Sequence, residues 1–269
     1  MIDPHETTQE LFGTPRALIG MLHLGALPGA PRSAFPVEEL ARRAVIEART
    51  LAEVGFHGLL IENMHDTPYL RGGVGPEITA AMAVIGSAVR RAVSLPLGVQ
   101  VLAGANQEAL AIAKACGGAF VRVEGFVFAH VADEGIHQSD AGALLRYRRM
   151  IDAGAVRVFA DIKKKHSSHA LTEDVDLVET ARAAEFFGAD GVIITGAETG
   201  QPASPAEVAA VREAVTIPVI VGSGIKPENL DAYASASAWI VGSSIKRDGH
   251  WSGALDRERA AALVRALRG

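Results

Sequence analysis

The chain has 269 residues, of which 49% are hydrophobic and only 5% aromatic, and it carries a formal net charge of -5. This length is enough to bury a large core, as one α/β domain or as two smaller ones. The acidic balance provides no basic surface for nucleic acid, so we expect no nucleic-acid partner. The single cysteine, Cys116, excludes an internal disulfide and any metal cluster built from several cysteines.

Two features of the sequence bear on membranes. The first sixteen residues, MIDPHETTQELFGTPR, contain acids and no apolar core, which is not the pattern of a secretory signal. No run of eighteen apolar residues occurs, so we expect no transmembrane segment and a cytoplasmic protein. The most apolar helical segment, residues 77–89, predicts a buried helix. A subunit contact or a membrane-surface contact is the alternative, which leaves peripheral membrane association open and favours a homo-oligomer.

Apolar runs of strand length alternate with amphipathic helical stretches along the chain. The eight predicted strands are residues 17–24, 58–62, 97–102, 119–124, 156–163, 191–195, 218–221 and 238–241. Helical patterns follow them, for example at Val37–Val54 and at residues 173–187, and the last covers 256–267. Eight such units in about 250 residues predict a single-domain (β/α)8 TIM barrel over residues 17–269, preceded by an N-terminal extension over residues 1–16.

Two turns of small residues follow the last two predicted strands. In barrels of this kind the site lies at the C-terminal ends of the strands, and the seventh and eighth loops commonly hold a phosphate. Glycine lets the backbone approach an anion closely, and serine adds hydroxyl donors. We therefore predict a phosphate site, with plain tight turns as the alternative, at Gly222, Ser223, Gly224, Gly242, Ser243 and Ser244.

Polar residues also end the other predicted strands. Asp161, Lys163 and Lys165 share one parity, so Asp161 is expected to point into the barrel mouth, while the two lysines can already lie in the following loop. A carboxylate beside an ammonium in a partly dry pocket can support proton transfer; a structural ion pair at the rim is the alternative. The remaining candidates of this ring are His23, Glu62, Asn63, Gln100, Arg122, Glu124 and Thr195.

Metal and serine chemistry are disfavoured by the pattern of the sequence. His65 with Asp66, and His166 with His169, are candidate metal ligands, and two histidines three residues apart can bind zinc. The segment KKKHSSH, however, brings three lysines whose charge opposes a cation. The serines of the two turns lack a G-x-S-x-G elbow. We therefore expect no metal and no cofactor.

Two loops are long enough to act as lids, residues 63–77 and residues 125–141. The first carries Arg71 next to Gly72 and Gly73, and Arg71 is a candidate for closing on an anion. A disordered surface loop is the alternative in both cases.

The sequence resembles the BtpA/SgcQ family over residues 18–259. The motifs that carry the resemblance are IGMLHLGALPGAPR, IENMHDTPY, RYRRMI, ADIKKKHS, TGAETG, VGSGIKPEN and IVGSSIKRDG. The family takes its names from a photosystem I biogenesis factor and from a sugar-related operon. The resemblance implies a ribulose-phosphate-binding type of barrel.

By position within these motifs, the resemblance implies site roles for further residues. They are Glu62, Asn63 and Asp66 after the second strand, Asp161, Lys165 and His166 after the fifth, Thr195, Gly196, Thr199 and Gly200 after the sixth, and Lys246 with the two small-residue turns. This chain departs from the family pattern with QVLAGA at residues 100–105 and with Glu124 after Arg122, which suggests a different ligand.

Together these features predict an enzyme that acts on a small phosphorylated metabolite, a sugar or nucleoside phosphate. Asp161 and Lys165 would transfer protons, with Glu62 and His23 as a second acid/base pair. Metal-independent isomerase, lyase and glycosidic-cleavage chemistry all fit. Two alternatives remain: a non-catalytic factor for assembly or stability of a membrane complex, which predicts an exposed apolar face on the helix at 77–89, and a metabolite sensor without turnover.

Overall fold

The fold is a closed parallel barrel, as the sequence predicts. The computed structural model describes residues 4–196 and 201–268. Its barrel closes in the order β1-β11-β10-β9-β7-β4-β3-β2. The strands are β1 Ala17–His23, β2 Gly58–Glu62, β3 Leu97–Gln100, β4 Phe120–Val123, β5 Ala129–Ala132, β6 Gly135–Gln138, β7 Arg157–Ile162, β8 Ser167–Ser168, β9 Gly191–Ile194, β10 Val219–Val221 and β11 Ala238–Val241.

Helices surround the barrel. They are α1 Pro4–Phe12, α2 Val37–Val54, α3 Pro76–Ala92, α4 Asn106–Cys116, α5 Ala141–Met150, α6 Leu177–Phe186, α7 Pro205–Ala214 and α8 Arg257–Arg268. The expectation of a full helix after each barrel strand is wrong at one place, because a 3₁₀ helix, Pro227–Tyr233, follows β10. Asn229 shapes this short crossing, since its side chain accepts from the Lys226 N–H at 2.8 Å and donates to the Gly224 carbonyl at 2.9 Å.

Side chains of alternating direction build two cores. Outward residues such as Leu18 and Leu59 pack beneath the helices, while inward residues such as Ile19 and Leu60 fill the barrel. Gly98 makes room for this filling, since a Cβ there would lie 2.2 Å from the Phe120 ring. The interior is therefore a packed core, which leaves the carboxyl ends of the strands as the place for a site.

Helix α3 is buried on the face that the apolar pattern predicts. Ile78, Met82, Ile85 and Val89 are all at most 5% exposed, and the helix packs against α2 and α4. Among the described large hydrophobic side chains of α3, Val84 is the one that is exposed. Within residues 4–196 and 201–268, no helix combines the length and the apolar character that a membrane crossing needs.

The second predicted lid loop contains regular structure. Strands β5 and β6 pair as an antiparallel hairpin, and the short β8, from the loop after β7, adds a third strand. The hairpin turn, Asp133–Glu134, lines the cavity at the barrel mouth. Residues 125–141 therefore form an ordered cover with main-chain pairing to a second loop.

The N-terminal extension closes the other end of the barrel, and this contact generates a prediction. Phe12 is 7% exposed, meets Phe120 edge to face at 5.7 Å between ring centroids, and lies over Gly58.

We expect Phe12→Ala to lower the free energy of unfolding by about 3 kcal/mol, because truncation leaves an unfilled space against the interior core. Urea denaturation measures this. Phe186→Ala, at an 87% exposed position, is the control and is expected to cost under about 0.5 kcal/mol; equal losses would contradict the assignment.

Candidate active site

A cavity of about 900 Å³ opens at the carboxyl ends of the barrel strands. Most of the polar residues predicted from the sequence line it. They are His23, Glu62, Gln100, Arg122, Glu124, Lys165, His166, Gly222, Ser223, Gly224, Gly242, Ser243 and Ser244. The other predicted residues of the described chain lie outside its lining: Asn63, Asp66, Arg71, Asp161, Lys163, Thr195, Gly196 and Lys246, whose ammonium is paired with Glu47 at 2.7 Å. Thr199 and Gly200 fall outside the described residues.

Glu62 and His23 form a buried acid–base pair, because β1 and β2 place them at the same level. His23 Nε2 lies 3.6 Å from Glu62 Oε2, and both side chains are at most 7% exposed. His23 Nδ1 is 3.0 Å from the Trp251 carbonyl, which can only accept, so Nδ1 carries the hydrogen when the ring is neutral and the Nε2 lone pair faces Glu62.

The protonation states of this pair follow from burial. Burial, followed by the charge of Lys246, lowers the pKa of His23 to about 3. Burial also raises the pKa of Glu62 to about 7, against the opposing charges of Arg122 and Lys165. Near neutral pH the imidazole is therefore neutral, and the carboxyl exchanges its proton. A group with that behaviour can act as a general acid and as a general base.

Asp161 points into the barrel as its parity predicts, but its partner is Arg122. The guanidinium donates from Nε at 2.7 Å and from Nη2 at 3.0 Å to the two carboxylate oxygens, and both residues are buried. A two-point pair of this kind fixes the orientation of Arg122, which lines the cavity. The predicted proton transfer between Asp161 and Lys165 has no direct contact in this arrangement.

The three consecutive lysines after β7 take different directions. Strand β7 ends at Ile162, and Lys163 has a left-handed φ of 45°, so the alternation of the strand stops there. Lys163 Nζ turns away to the Thr172 carbonyl at 3.2 Å. Lys164 Nζ instead reaches Glu124 at 3.1 Å and Glu134 at 3.2 Å. The parity argument missed Lys164 because it assumed an unbroken strand.

Lys165 lines the cavity without a carboxylate partner. Its backbone N–H donates to Thr195 Oγ1 at 3.2 Å. The Thr195 hydroxyl is therefore used within the protein, and Thr195 is not part of the cavity lining. No carboxylate oxygen within the described ranges lies within 4 Å of Lys165 Nζ. Burial, followed by the charge of Arg122, lowers the pKa of this ammonium.

The two small-residue turns present unused backbone donors. The N–H groups of Gly224, Ile225, Ser243 and Ser244 have no hydrogen-bond acceptor in the part of the chain that the structure describes. Ser223 differs, because its hydroxyl accepts from the Gly196 N–H at 2.8 Å and donates to the Gln201 carbonyl at 2.9 Å. The turns thus offer main-chain donors, while the Ser223 hydroxyl holds the turn after β9.

Arg259 is a cavity residue that the strand-end argument missed. It belongs to the first turn of α8, and it lines the same cavity as the two turns. The guanidinium lies near the loop after β11, since its Nη1 is 3.9 Å from where a Cβ of Gly249 would stand. The ends of strands are the positions at which the sequence predicts site residues, and Arg259 lies in the first turn of a helix.

Three predicted binding residues brace the rim instead. Asn63 accepts from the Leu102 N–H at 2.7 Å and donates to Asp66 at 3.0 Å, and Asp66 accepts from the Leu27 N–H at 2.7 Å. Burial raises the pKa of Asp66 above its usual range. Arg71 is exposed and lies beside Gly135 at the hairpin turn. All three lie outside the cavity lining, and their contact with a ligand stays a prediction.

The histidine-rich segment after β7 does not converge on a cation. His166 is exposed at the cavity rim, and His169 Nε2 lies 3.0 Å from the Lys164 carbonyl. In the described parts of the chain, no three His, Cys, Asp or Glu side chains come together as a metal-binding group.

The raised pKa of Glu62 generates a prediction about stability. The pKa of Glu62 in the folded protein, about 7, lies above its ordinary value of 4.5. The contribution of this carboxyl to stability is therefore fully present below about pH 4.5 and is lost as the pH rises to 7. Glu62→Gln does not titrate, so we expect its stability relative to wild type to rise by about 3 kcal/mol between pH 4.5 and pH 8. Urea denaturation across that range measures the difference. A difference that does not change with pH would contradict a buried, high-pKa Glu62.

The Arg122–Asp161 pair generates a second prediction. Asp161→Asn leaves a buried guanidinium without its counter-charge, and we expect a loss of about 3 kcal/mol in the free energy of unfolding. The double variant Arg122→Met/Asp161→Leu removes both charges and is expected to be more stable than Asp161→Asn alone. Thermal denaturation ranks the two variants, and the reverse order would show that the pair is not a matched buried unit.

Comparison with known proteins gives the family. The BtpA family model matches residues 14–269. A mitochondrial protein of Caenorhabditis elegans is 41% identical over 95% of this chain and 95% of its own length. The photosystem I biogenesis protein BtpA of Synechocystis is 33% identical over 96% of this chain and 90% of its own.

Solved structures share the architecture at low identity. Thiamine phosphate pyrophosphorylase from Pyrococcus furiosus superposes with a TM-score of 0.59 at 13% identity, covering 94% of this chain and 96% of that one. Phosphoribosyl anthranilate isomerase from Thermus thermophilus gives 0.55 at 13% identity, covering 94% and 98%. These likenesses establish the barrel fold, and the family match extends over nearly the whole chain. The chain is therefore a member of the BtpA family.

Proposed function

We propose that this protein is an enzyme that acts by acid–base chemistry on a small phosphorylated metabolite, a sugar phosphate or a nucleoside phosphate. One observation carries the proposal: a single cavity contains the unused donors of both small-residue turns together with a carboxyl whose pKa is about 7. The first feature suits a bound anion and the second suits proton transfer.

The phosphate would lie against the turns after β10 and β11. Four unused N–H groups, at Gly224, Ile225, Ser243 and Ser244, are donors that an anion can satisfy without displacing a protein acceptor. The Ser244 hydroxyl is buried and has no partner in the described chain, and Arg259 adds a positive charge. Gly224 is required here because its φ is +72° and a Cβ would lie 2.3 Å from Pro202.

The chemistry would take place at Glu62 and His23. A carboxyl that titrates near pH 7 loses and regains a proton at low cost, and the neutral imidazole beside it offers a lone pair fixed by the Trp251 carbonyl. Lys165 supplies a cation without a paired carboxylate, whereas Asp161 would orient Arg122. Isomerase, lyase and glycosidic-cleavage reactions of a phosphorylated substrate all need such groups.

The comparisons support this proposal at the level of the fold. Both solved neighbours described above are enzymes named for phosphorylated compounds, thiamine phosphate and phosphoribosyl anthranilate. The Synechocystis relative is named for photosystem I biogenesis, and a role in assembly is the competing function. That role predicts an exposed apolar face on α3, where Val84 is the one exposed large hydrophobic among the described side chains.

Thermal shift with inorganic phosphate and a panel of sugar and nucleoside phosphates tests the proposal. We expect a dose-dependent rise in melting temperature for the wild type. Ser243→Ala keeps the backbone N–H and is expected to keep most of the rise, whereas Ser243→Asp places a negative charge in the turn and is expected to abolish it. Gly224→Asp is unsuitable because any side chain there meets Pro202.

Arg259 and Arg265 form a matched pair of variants on α8. Arg259→Ala removes a cation that lines the cavity, and we expect phosphate to bind roughly tenfold more weakly. Arg265→Ala removes an exposed cation outside the lining, and we expect no change. If no phosphorylated ligand stabilises the wild type, the phosphate site is wrong and an assembly role takes its place.

A further inference from the structure

Lys165 stands apart among the cations of the cavity wall that are not exposed, which excludes Lys226 and Arg259. Arg122 is held by Asp161 at 2.7 Å, and Lys164 bridges Glu124 and Glu134 at 3.1 and 3.2 Å. Lys165 lines the same cavity, yet its ammonium has no carboxylate within 4 Å in the described ranges. The first two cations are neutralised by direct contact, and the third is not.

This isolation makes the neutral amine accessible. Burial and the charge of Arg122 lower the pKa of Lys165, against the opposing charges of Glu62, Asp161 and Glu124, none of which is in contact with the ammonium. The nearby Glu62 carboxyl, with its pKa near 7, is a suitable acceptor for the released proton. A lowered pKa increases the fraction of neutral amine, and a neutral, desolvated amine is a nucleophile towards carbonyl carbon.

The backbone around Lys165 is fixed in place. Its N–H is bound by Thr195 at 3.2 Å, and the preceding Lys164 is anchored to two carboxylates. The same cavity holds the turns after β10 and β11. A substrate with its phosphate on those turns would therefore share the cavity with the amine.

We propose that Lys165 forms an imine with the carbonyl carbon of a phosphorylated aldehyde or ketone. The proposal rests on the function proposed above and narrows its substrate class to carbonyl compounds. Lys165 thereby has the role of nucleophile in place of the proton-transfer role predicted from the sequence.

The step balances within the site. The ionised Glu62 carboxylate takes a proton from the Lys165 ammonium through a water in the cavity, because the two groups are not in contact. The amine nitrogen then attacks the carbonyl carbon, and one of its two N–H protons passes to the carbonyl oxygen to give a carbinolamine. Glu62 returns its proton to the hydroxyl, which leaves as water while the C=N bond forms. One ammonium and one carbonyl thus give one protonated imine and one water, and nothing is oxidised or reduced. Proton movement from Lys165 to Glu62 leaves the net charge of the two groups unchanged.

Trapping with pyridoxal 5′-phosphate and borohydride tests the proposal, because this probe is itself a phosphorylated aldehyde. The chain has six lysines, so peptide mass mapping can locate every side-chain adduct. At substoichiometric probe, we expect Lys165 to carry at least about tenfold more adduct than Lys114, which is exposed outside the cavity, and than Lys226, which is exposed at its rim. Lys165→Met and the charge-preserving Lys165→Arg should lose this adduct, and the control Lys163→Met should keep it.

The arms of the experiment separate this proposal from the phosphate site. Protection of Lys165 by inorganic phosphate supports both. If pyridoxal without its phosphate labels Lys165 equally well and inorganic phosphate gives no protection, the imine stands and the phosphate site fails. If phosphate raises the melting temperature while adducts spread over Lys114 and Lys226 equally in wild type and Lys165→Arg, the imine is overturned and the phosphate site stands.

Discussion

The structure at the barrel mouth depends on the balance of charge among groups that have lost most of their water. Burying an ionised side chain costs several kcal/mol unless a partner compensates it. The charged groups that are shielded from water at the mouth are four carboxyls and three cations. Glu62, Glu124, Glu134, Arg122, Lys164 and Lys165 line the cavity, and Asp161 lies behind Arg122. Formal neutrality of this shielded set is reached when one carboxyl keeps its proton, and Glu62 is the one whose pKa burial raises to about 7.

The fold supplies this balance by joining distant segments. Lys164 from the loop after β7 contacts Glu124 at the end of β4 and Glu134 in the hairpin turn. This ion bridge links the hairpin to the barrel. The same contacts therefore hold the hairpin over the cavity and neutralise the Lys164 ammonium. Arg122 and Asp161 connect β4 and β7 in the same way. Glu62 and Lys165 are left without a contact of opposite charge, so burial raises the pKa of Glu62 and lowers the pKa of Lys165.

Much of the fold was predictable from the sequence because periodicity reports burial directly. The eight strands and the buried face of α3 follow from apolar alternation and helical spacing. Strand-end reasoning also placed Glu62 and Arg122 at the mouth, but it could not assign partners. The left-handed Lys163 reverses the expected direction of the next residue, and Arg259 reaches the cavity from a helix. Partners and chain reversals depend on tertiary contacts, which a one-dimensional pattern does not contain.

The most direct test of this account is the titration of Glu62 itself. Carboxyl carbon chemical shifts in uniformly labelled protein, with Glu62→Gln to assign the signal, give its pKa by NMR. We predict a midpoint near pH 7 for Glu62. A phosphate dianion bound at the two turns adds negative charge to the cavity and is expected to raise this midpoint further. A midpoint near 4.5, the ordinary value for glutamate, would contradict the charge balance and with it the proposed acid–base chemistry.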